Sequence, residues 1–386
     1  YYVAAAQIIA GEPAGPGNIY AGAAPSGADP NAEHPQLGKL LIAGGIELLG
    51  NNASGWRVGS VVFGVLSLAL LWWLVVSAGG SAWLGLGAAA LGAAGNLWLV
   101  HARIAVLDVY VVPFMLAAVA FHLRGRPAIA GAMVGIGCCV KEFALYALFV
   151  ILALELLTAI RAGTWRRGIG RAALAAAVAL VSFVTLLSAL DSAVPPYHDG
   201  RAVDPGRSGL CADLLLWRDG CSHFLFMAGY AEQLRGERGI AAAPTEFWLD
   251  RRVIPYYVTT AVSPGRSGRR RRTVLDFRGE INRVLLFTAW PALALCLFWG
   301  LRRRDRPALL AVAWALGTWV PPELSYLLAD RTTYLYYMVV TMPALYVAVA
   351  RLLSWRRIPW LLAVVWVAAF LVDAAALYPL RTLSGH

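Results

Sequence analysis

Residues 127–160 read PAIAGAMVGIGCCVKEFALYALFVILALELLTAI, an apolar tract with the charged pair Lys141-Glu142 near its centre. As one helix, this tract would extend about 51 Å, whereas the hydrocarbon core of a bilayer is about 30 Å thick. We therefore predict two short membrane passes that meet at a charged turn. This division also places four arginine clusters on one side of the membrane, the cytoplasm, as the positive-inside rule requires. These clusters are Arg124/Arg126, Arg161–Arg171, Arg302–Arg306 and Arg351–Arg357.

The composition agrees with a chain that lies mostly in a membrane. Of its 386 residues, 59% are hydrophobic and 14% are charged, which lies outside the range of soluble globular domains. The net charge of +11 comes largely from arginines at the ends of apolar tracts, so we expect no nucleic-acid partner. We predict an all-α polytopic membrane protein with ten transmembrane helices, at residues 58–77, 81–100, 104–123, 127–140, 143–160, 172–190, 284–301, 307–322, 333–350 and 358–378.

The predicted topology divides the chain into four parts. Residues 1–57 form an extracytoplasmic loop with an interfacial helix at 37–49, and residues 58–190 form transmembrane helices. Residues 191–283 form an extracytoplasmic loop domain, and residues 284–386 form the C-terminal transmembrane helices. Since the chain begins with Tyr1 in an external segment, we expect that a first helix is missing from this sequence.

Five cysteines are present, and two of them lie in the long external loop. Cys211 and Cys221 are close enough in sequence to pair, and an extracytoplasmic loop favours a disulfide between them. A zinc site that uses both with His223 is an alternative, but it lacks a clear fourth ligand. We therefore predict no metal site and no cofactor.

The chain has only two lysines, Lys39 and Lys141, and the topology places both on the outer side. Ionisable residues at membrane depth indicate a functional site by default. Sugar transfer from a polyprenyl phosphate would use cations to hold the phosphate and a carboxylate to take the proton of the acceptor hydroxyl. The candidate cations are Lys39, Arg103, Lys141 and Arg331, and the candidate acids are Asp108 and Glu33.

Structural ion pairs are the alternative interpretation of these charges. Arg103 could pair with Asp108, Lys141 with Glu142, and Asp330 with Arg331, and none of these pairs would then bind a ligand. We favour the functional interpretation because several charged segments fall on the same face of the membrane.

Five segments resemble the protein O-mannosyltransferases and their bacterial relatives, a GT39-like family of the GT-C superfamily. Glu33-His34-Pro35-Gln36-Leu37-Gly38-Lys39 is similar to the His-Pro-Pro-Leu-Gly-Lys signature of that family, and Arg103-Ile104-Ala105-Val106-Leu107-Asp108 to its Arg-x-x-x-Leu-Asp element. The other three matching segments are Val140-Lys141-Glu142-Phe143, Gly239–Tyr257, and Asp330-Arg331 followed by Tyr334–Tyr337.

The resemblance implies a GT-C-type fold and an inverting, metal-independent transfer of mannose from polyprenyl-phosphate-mannose to Ser or Thr of exported proteins. It implies a plasma-membrane protein of the bacterial type, without extra soluble domains and with its active site on the extracytoplasmic side. The substrate-binding residues would be His34, Lys39, Arg103, Lys141, Asp330, Arg331 and Tyr336, with Asp108 and Glu33 as catalytic carboxylates.

The chain departs from the family at two places. Gln36 replaces the second proline of the signature. The Asp-Glu pair of the family would precede Tyr1, so we expect the main base upstream of this sequence.

Two other functions are considered. A GT-C transferase could use a different polyprenyl-phosphate sugar, such as an arabinose-type donor, or a lipid or glycan acceptor. A lipid or solute transporter is less consistent with the sequence, because transporters built from repeats have two halves of similar hydropathy with sites at the bilayer midplane. In this chain the polar residues gather at one face.

Overall fold

The computed structural model describes residues 1–163, 165–203, 211, 213–236, 239–265, 268–378 and 381–382. The first part of the chain forms nine helices, and each of the apolar tracts predicted there is helical. They are α1 (Tyr2–Ile9), α2 (Leu37–Leu49), α3 (Ala53–Ser77), α4 (Ala82–Ala94), α5 (Asn96–His101), α6 (Leu107–Leu123), α7 (Pro127–Val140), α8 (Tyr146–Ala162) and α9 (Trp165–Ala193).

The second part begins with two short strands and ends with the last four apolar helices. Its elements are β1 (Tyr197–His198), β2 (Arg201–Ala202), α10 (Arg218–Gln233), α11 (Pro244–Trp248), β3 (Ile254–Gly265), β4 (Gly268–Gly279), α12 (Arg283–Arg302), α13 (Arg306–Ala329), α14 (Met338–Leu353), α15 (Trp360–Ala376) and β5 (Arg381–Thr382). Short 3₁₀ turns lie at Glu142–Leu145, Leu215–Trp217 and Leu335–Tyr337.

Residues 127–160 are divided at the predicted place. Lys141 has extended backbone angles (φ −159°, ψ 140°), which end α7, and the 3₁₀ turn Glu142–Leu145 then leads into α8. The predicted span at 81–100 is also broken, because Gly95 is extended (φ −74°, ψ 127°) between α4 and α5. A Cβ atom at Gly95 would lie 2.9 Å from the hydroxyl oxygen of Tyr346, so this close approach favours glycine.

The helices pack closely through small residues, as is usual between membrane helices. A Cβ atom at Gly131 of α7 would lie 2.3 Å from the carbonyl oxygen of Ala175 in α9. A Cβ atom at Gly317 of α13 would lie 2.3 Å from the backbone nitrogen of Val150 in α8. Helices α6 and α14 form the centre of the bundle, since nearly all of their side chains are buried.

Five helical segments are long and apolar enough to cross a bilayer, and four further apolar helices are shorter. Helix α15 exposes most of its leucine and valine side chains, which fits a surface that faces lipid. The chain is therefore a mostly helical, multi-pass membrane protein.

The loop between α9 and α12 contains a β-hairpin that the prediction of an all-α protein did not include. Strands β3 and β4 pair antiparallel from Ile254↔Gly279 to Gly265↔Gly268, and β5 adds to the far edge of β4. Arg269–Arg272 are part of β4. The strands were not recognised in the sequence, because the prolines at 255 and 264 and the run of four arginines interrupt the simple apolar–polar alternation of a half-buried strand.

Candidate active site

The start of α6 and the end of α7 bring two opposite charges together. Asp108 lies in the first turn of α6, and Lys141 follows the last residue of α7. The Lys141 Nζ donates to Asp108 Oδ1 at 2.7 Å, and the two side chains are only 3% and 4% exposed. Each charge was expected to pair with a different partner in the structural interpretation, Asp108 with Arg103 and Lys141 with Glu142. The structure replaces both pairs with one buried ion pair.

Aromatic rings surround the ammonium group of Lys141. Its Nζ lies 4.3 Å from the ring centroid of Phe143 and 5.0 Å from that of Tyr336. Tyr336 in turn stacks on Tyr334, with centroids 5.1 Å apart. Cation–π contacts of this kind stabilise the charged lysine in a site with little water. Tyr336 therefore lies beside Lys141, and its role in substrate binding stays a prediction.

The next residue, Glu142, contacts the N-terminal loop. His34 Nδ1 lies 3.2 Å from both carboxylate oxygens of Glu142, and the ring of Tyr2 lies 5.8 Å from that of His34. The side chains of His34 and Glu142 are 29% and 37% exposed, so they form the accessible rim of the cluster.

Lys39 lies below this rim and not in the pocket where it was expected. Its ammonium group pairs with Asp29 and donates to the backbone carbonyls of Asn31 and, at 2.7 Å, His34. Burial lowers the pKa of Lys39, and the negative charge of Asp29 opposes that shift. With three protein acceptors and no exposed surface, Lys39 holds the 29–34 loop in place and is closed to a ligand.

Glu33 contacts the N-terminal loop and β1. It accepts a hydrogen bond from the side-chain amide of Asn31 at 2.5 Å, and its other oxygen lies 3.2 Å from His198 Nδ1. Burial, and then the charge of Glu33, raise the pKa of Tyr230. The contacts of Glu33 are thus with Asn31 and His198, and the structure does not pair it with Asp108 or Lys141.

Arg103 lies in a lateral cavity of 770 Å³ beside the start of α6. Its guanidinium donates to the hydroxyl of Tyr378 at 3.2 Å and covers the ring of that tyrosine. A second arginine, Arg57, shares the cavity, and the remaining walls are apolar or aromatic: Val61, Ile104, Ala105, Val106, Tyr256, Tyr257 and Phe277.

A buried histidine connects this cavity to the hairpin. His101 Nδ1 donates to the carbonyl of Leu97 at 2.7 Å, so its Nε2 accepts a hydrogen bond from the hydroxyl of Tyr256 at 2.8 Å. Burial, and then the charge of Asp108, raise the pKa of Tyr256. The hairpin thus covers the cavity next to Asp108.

The side chains of Asp330 and Arg331 do not form a salt bridge with each other. Asp330 is exposed in a left-handed conformation (φ 51°), and its carbonyl accepts from the backbone N–H of Gly236 at 2.8 Å. Within the ranges given above, no carboxylate lies within salt-bridge distance of Arg331. Arg331 precedes the tyrosine segment that reaches Lys141, so it remains a candidate cation at the rim.

Several residues of the site were not predicted from the sequence. Arg57, Tyr256 and Phe277 line the cavity, and nothing in the sequence signalled that they would do so. The pairing of Asp29 with Lys39 was not predicted either, although a buried lysine needs an acid partner and Asp29 lies ten residues away.

Two further predictions concern the cysteines and metals. Cys211 and Cys221 form a disulfide in the structure, which ties the loop to the first turn of α10. Among the described residues, no group of three or more His, Cys, Asp or Glu side chains is arranged to hold a metal ion.

Comparison with known proteins gives a matching family model, related sequences and solved structures of similar fold. A family model described as dolichyl-phosphate-mannose-protein mannosyltransferase matches residues 33–188, which include Glu33, Asp108 and Lys141. A polyprenol-phosphate-mannose–protein mannosyltransferase of Mycolicibacterium smegmatis is 26% identical over an alignment that covers 90% of this chain and 78% of the relative.

Solved structures share the fold. The S. cerevisiae protein O-mannosyltransferase Pmt1-Pmt2 complex bound to the sugar donor superposes with a TM-score of 0.64 at 10% identity, covering 90% of this chain and 83% of that chain. ArnT from Cupriavidus metallidurans bound to undecaprenyl phosphate gives a TM-score of 0.53 at 18% identity. That match covers 89% of this chain and 54% of ArnT, so the chain spans about half of the ArnT length. These likenesses show a fold of the GT-C type.

Proposed function

We infer that this chain belongs to the dolichyl-phosphate-mannose-protein mannosyltransferase family, and that it transfers mannose from polyprenyl-phosphate-mannose to Ser or Thr hydroxyls of proteins. The matched family segment, the mycobacterial relative and the fold support this inference together. The observation that carries it is the buried Asp108–Lys141 pair beside a cavity that combines two arginines with apolar walls.

The lateral cavity suits the donor. A polyprenyl phosphate has a phosphate that needs cations and a hydrocarbon chain that needs an apolar wall. Arg57 and Arg103 supply the cations, and Val61, Ile104 and Phe277 supply apolar surface. Arginine is well suited here because its planar guanidinium can make two hydrogen bonds to one phosphate.

The reaction is a single displacement at the anomeric carbon of mannose. The acceptor oxygen forms a bond to this carbon while the bond from the carbon to the phosphate oxygen breaks, and the bonding electrons leave with the polyprenyl phosphate. Cations at the cavity stabilise the developing charge, and the hydroxyl proton passes to a carboxylate. A one-step displacement inverts the anomeric configuration.

The buried ion pair positions the cluster. Asp108 holds Lys141 at 2.7 Å, and its carboxylate would lose this pair if it took a proton. We therefore assign Asp108 the role of orienting Lys141 toward the donor phosphate. Of the acids nearer the surface, Glu142 on the rim and Glu33 behind it are better placed to meet an acceptor hydroxyl.

The number of membrane crossings is also part of the proposal. We propose that the ten apolar tracts cross the membrane ten times, with the short helices α7 and α8 meeting at the charged turn. Residues 1–57 and 191–283 then lie outside a plasma membrane, residues 58–190 and 284–386 hold the spans, and the site faces exported proteins.

The proposal is tested with the protein expressed from its complete reading frame in a host without its own protein mannosyltransferase. Membranes receive radiolabelled polyprenyl-phosphate-mannose with a Ser/Thr-rich peptide, or with the same peptide in which alanine replaces every Ser and Thr. Label in the first peptide alone is the expected result. Unlabelled donors of mannose and of an arabinose-type sugar are added in parallel, and only the mannose donor should compete.

Other outcomes would change the conclusion. Label in lipid or polysaccharide, with none in either peptide, would replace the protein acceptor. Competition by the arabinose-type donor alone would replace the donor sugar.

A further inference from the structure

A second polar cavity lies at the end of the bundle opposite the candidate active site. Asp108 and His122 are separated by fourteen residues of α6, or about 21 Å along the helix axis. A cavity of 120 Å³ surrounds His122, between the ends of α3, α6, α8, α9 and α13. Its lining includes Ser77, Thr158, Glu155, Arg171 and Arg306.

The carboxylate of Glu155, which lines this cavity, is paired with neighbouring protein groups. Glu155 Oε1 lies 2.6 Å from His122 Nε2 and 3.1 Å from Arg171 Nη1. Arg171 also donates to the backbone carbonyl of His122, so its guanidinium is held in place by two neighbours. Glu155 therefore anchors Arg171 and leaves little negative charge for the cavity.

Arg306 adds a positive charge to the cavity, and among the described residues this charge has no counter-ion. It is the first residue of α13 and is exposed, and no carboxylate of the described residues lies within salt-bridge distance of it. The hydroxyl of Ser77 and the Nδ1 of the buried His122 also have no hydrogen-bond partner in the described part of the chain. The cavity thus combines an excess of positive charge with unpaired polar groups, in a position where α3, α6 and α8 end.

We propose that this cavity binds the phosphate headgroup of an anionic phospholipid, with Arg306 and Arg171 as the charged contacts and Ser77 as a hydrogen-bond donor. Basic pockets between membrane helices are suited to lipid phosphate groups, because a lipid can place its headgroup in the pocket and its chains along the helices. The cavity volume of 120 Å³ is sufficient for a phosphate group and too small for a peptide or a nucleotide. The site does not depend on the transfer reaction at the other end of the bundle.

The test uses the purified full-length protein in detergent. Phosphatidylglycerol is titrated against phosphatidylcholine with identical acyl chains, and native mass spectrometry counts the lipids that remain bound. Unfolding temperature is measured in parallel, since a ligand that binds only the folded state raises it. Inorganic phosphate alone forms a third arm.

The variant Arg306→Gln removes one cavity cation, and Arg303→Gln removes an exposed arginine just outside the cavity. We expect wild type and Arg303→Gln to retain phosphatidylglycerol in preference to phosphatidylcholine, and Arg306→Gln to bind it about fivefold more weakly. Ser77→Ala serves as a second variant that keeps all charges and should also weaken binding, because it removes the proposed hydroxyl donor.

Three results would overturn the proposal. Equal retention of the two lipids would remove the preference for an anionic headgroup. Equal weakening by Arg303→Gln and Arg306→Gln would show a diffuse basic surface in place of a site. Stabilisation by inorganic phosphate with no effect of phosphatidylglycerol would assign the cavity to a free anion.

Discussion

At the residue scale, the two lysines of the chain are both buried but differ in their contacts. Lys141 has one acid partner and aromatic neighbours, and it lies next to a rim that is open to solvent. Lys39 has an acid and two carbonyls and no exposed surface. A motif resemblance selected both lysines, but only the three-dimensional contacts separate a candidate ligand group from a structural one.

Lys39 is expected to act on stability. Lys39→Met should lower the yield of folded protein, because it leaves the buried Asp29 without its counter-charge, at a cost of about 3–5 kcal/mol. Size-exclusion chromatography and thermal unfolding measure this loss. The double variant Lys39→Met/Asp29→Asn should recover part of it. A well-folded Lys39→Met protein with a raised KM for the donor would show instead that Lys39 binds substrate.

Arg103 is expected to act on donor binding. Arg103→Gln should raise the KM for polyprenyl-phosphate-mannose about tenfold, because a charged hydrogen bond to phosphate is lost, and should leave the KM for the peptide unchanged. Arg201→Gln is the matched control, since Arg201 is an exposed arginine of β2. An unchanged donor KM in Arg103→Gln would remove the lateral cavity from the donor site.

At the scale of elements, the sequence predicted what depends on local pattern. All ten apolar tracts are helical, and α2 spans the predicted residues 37–49, because hydropathy and helix periodicity are local properties. The hairpin was missed because its stability depends on pairing between β3 and β4 and on the contact between Tyr256 and His101. The pairing of Asp108 with Lys141 was missed for the same reason, since it joins the ends of two helices.

The hairpin should depend on its contact with the helical bundle. Tyr256→Phe removes the hydrogen bond to the buried His101, so we expect faster hydrogen exchange in residues 254–279 and a loss of about 1–2 kcal/mol in local stability. Tyr257→Phe is the control, because that side chain is 59% exposed. Hydrogen exchange with mass spectrometry distinguishes the two. Equal protection in both variants would show that the hairpin is held by other contacts.

The whole molecule has two chemically distinct ends. The Asp108–Lys141 cluster and the rim lie at one end, and the arginine-rich cavity around His122 lies at the other. This difference between the two ends agrees with the arginine clusters from which the topology was predicted. We therefore expect the candidate active site and the basic loops on opposite sides of the membrane.

Cysteine accessibility tests this topology. Cysteines placed at Gly125 and Arg303 should be protected from a membrane-impermeant thiol reagent in intact cells, whereas those at Gly200 and Asp330 should react. The native free cysteines Cys138, Cys139 and Cys296 are buried and should give little background. Labelling of all four positions, or of the first two only, would contradict the ten-span arrangement.

The most direct test of the account is mannose transfer by the purified protein with Asp108 altered. Label transfer to the Ser/Thr-rich peptide is measured for wild type, for Asp108→Asn and for Asp199→Asn, whose side chain is 91% exposed. We predict that Asp108→Asn lowers kcat about 100-fold among the folded molecules, because Lys141 loses the charge that orients it, and that it also lowers thermal stability, since Lys141 is buried. We predict that Asp199→Asn remains near wild type in both activity and stability. Full activity in a folded Asp108→Asn protein would contradict the proposed role of the Asp108–Lys141 pair.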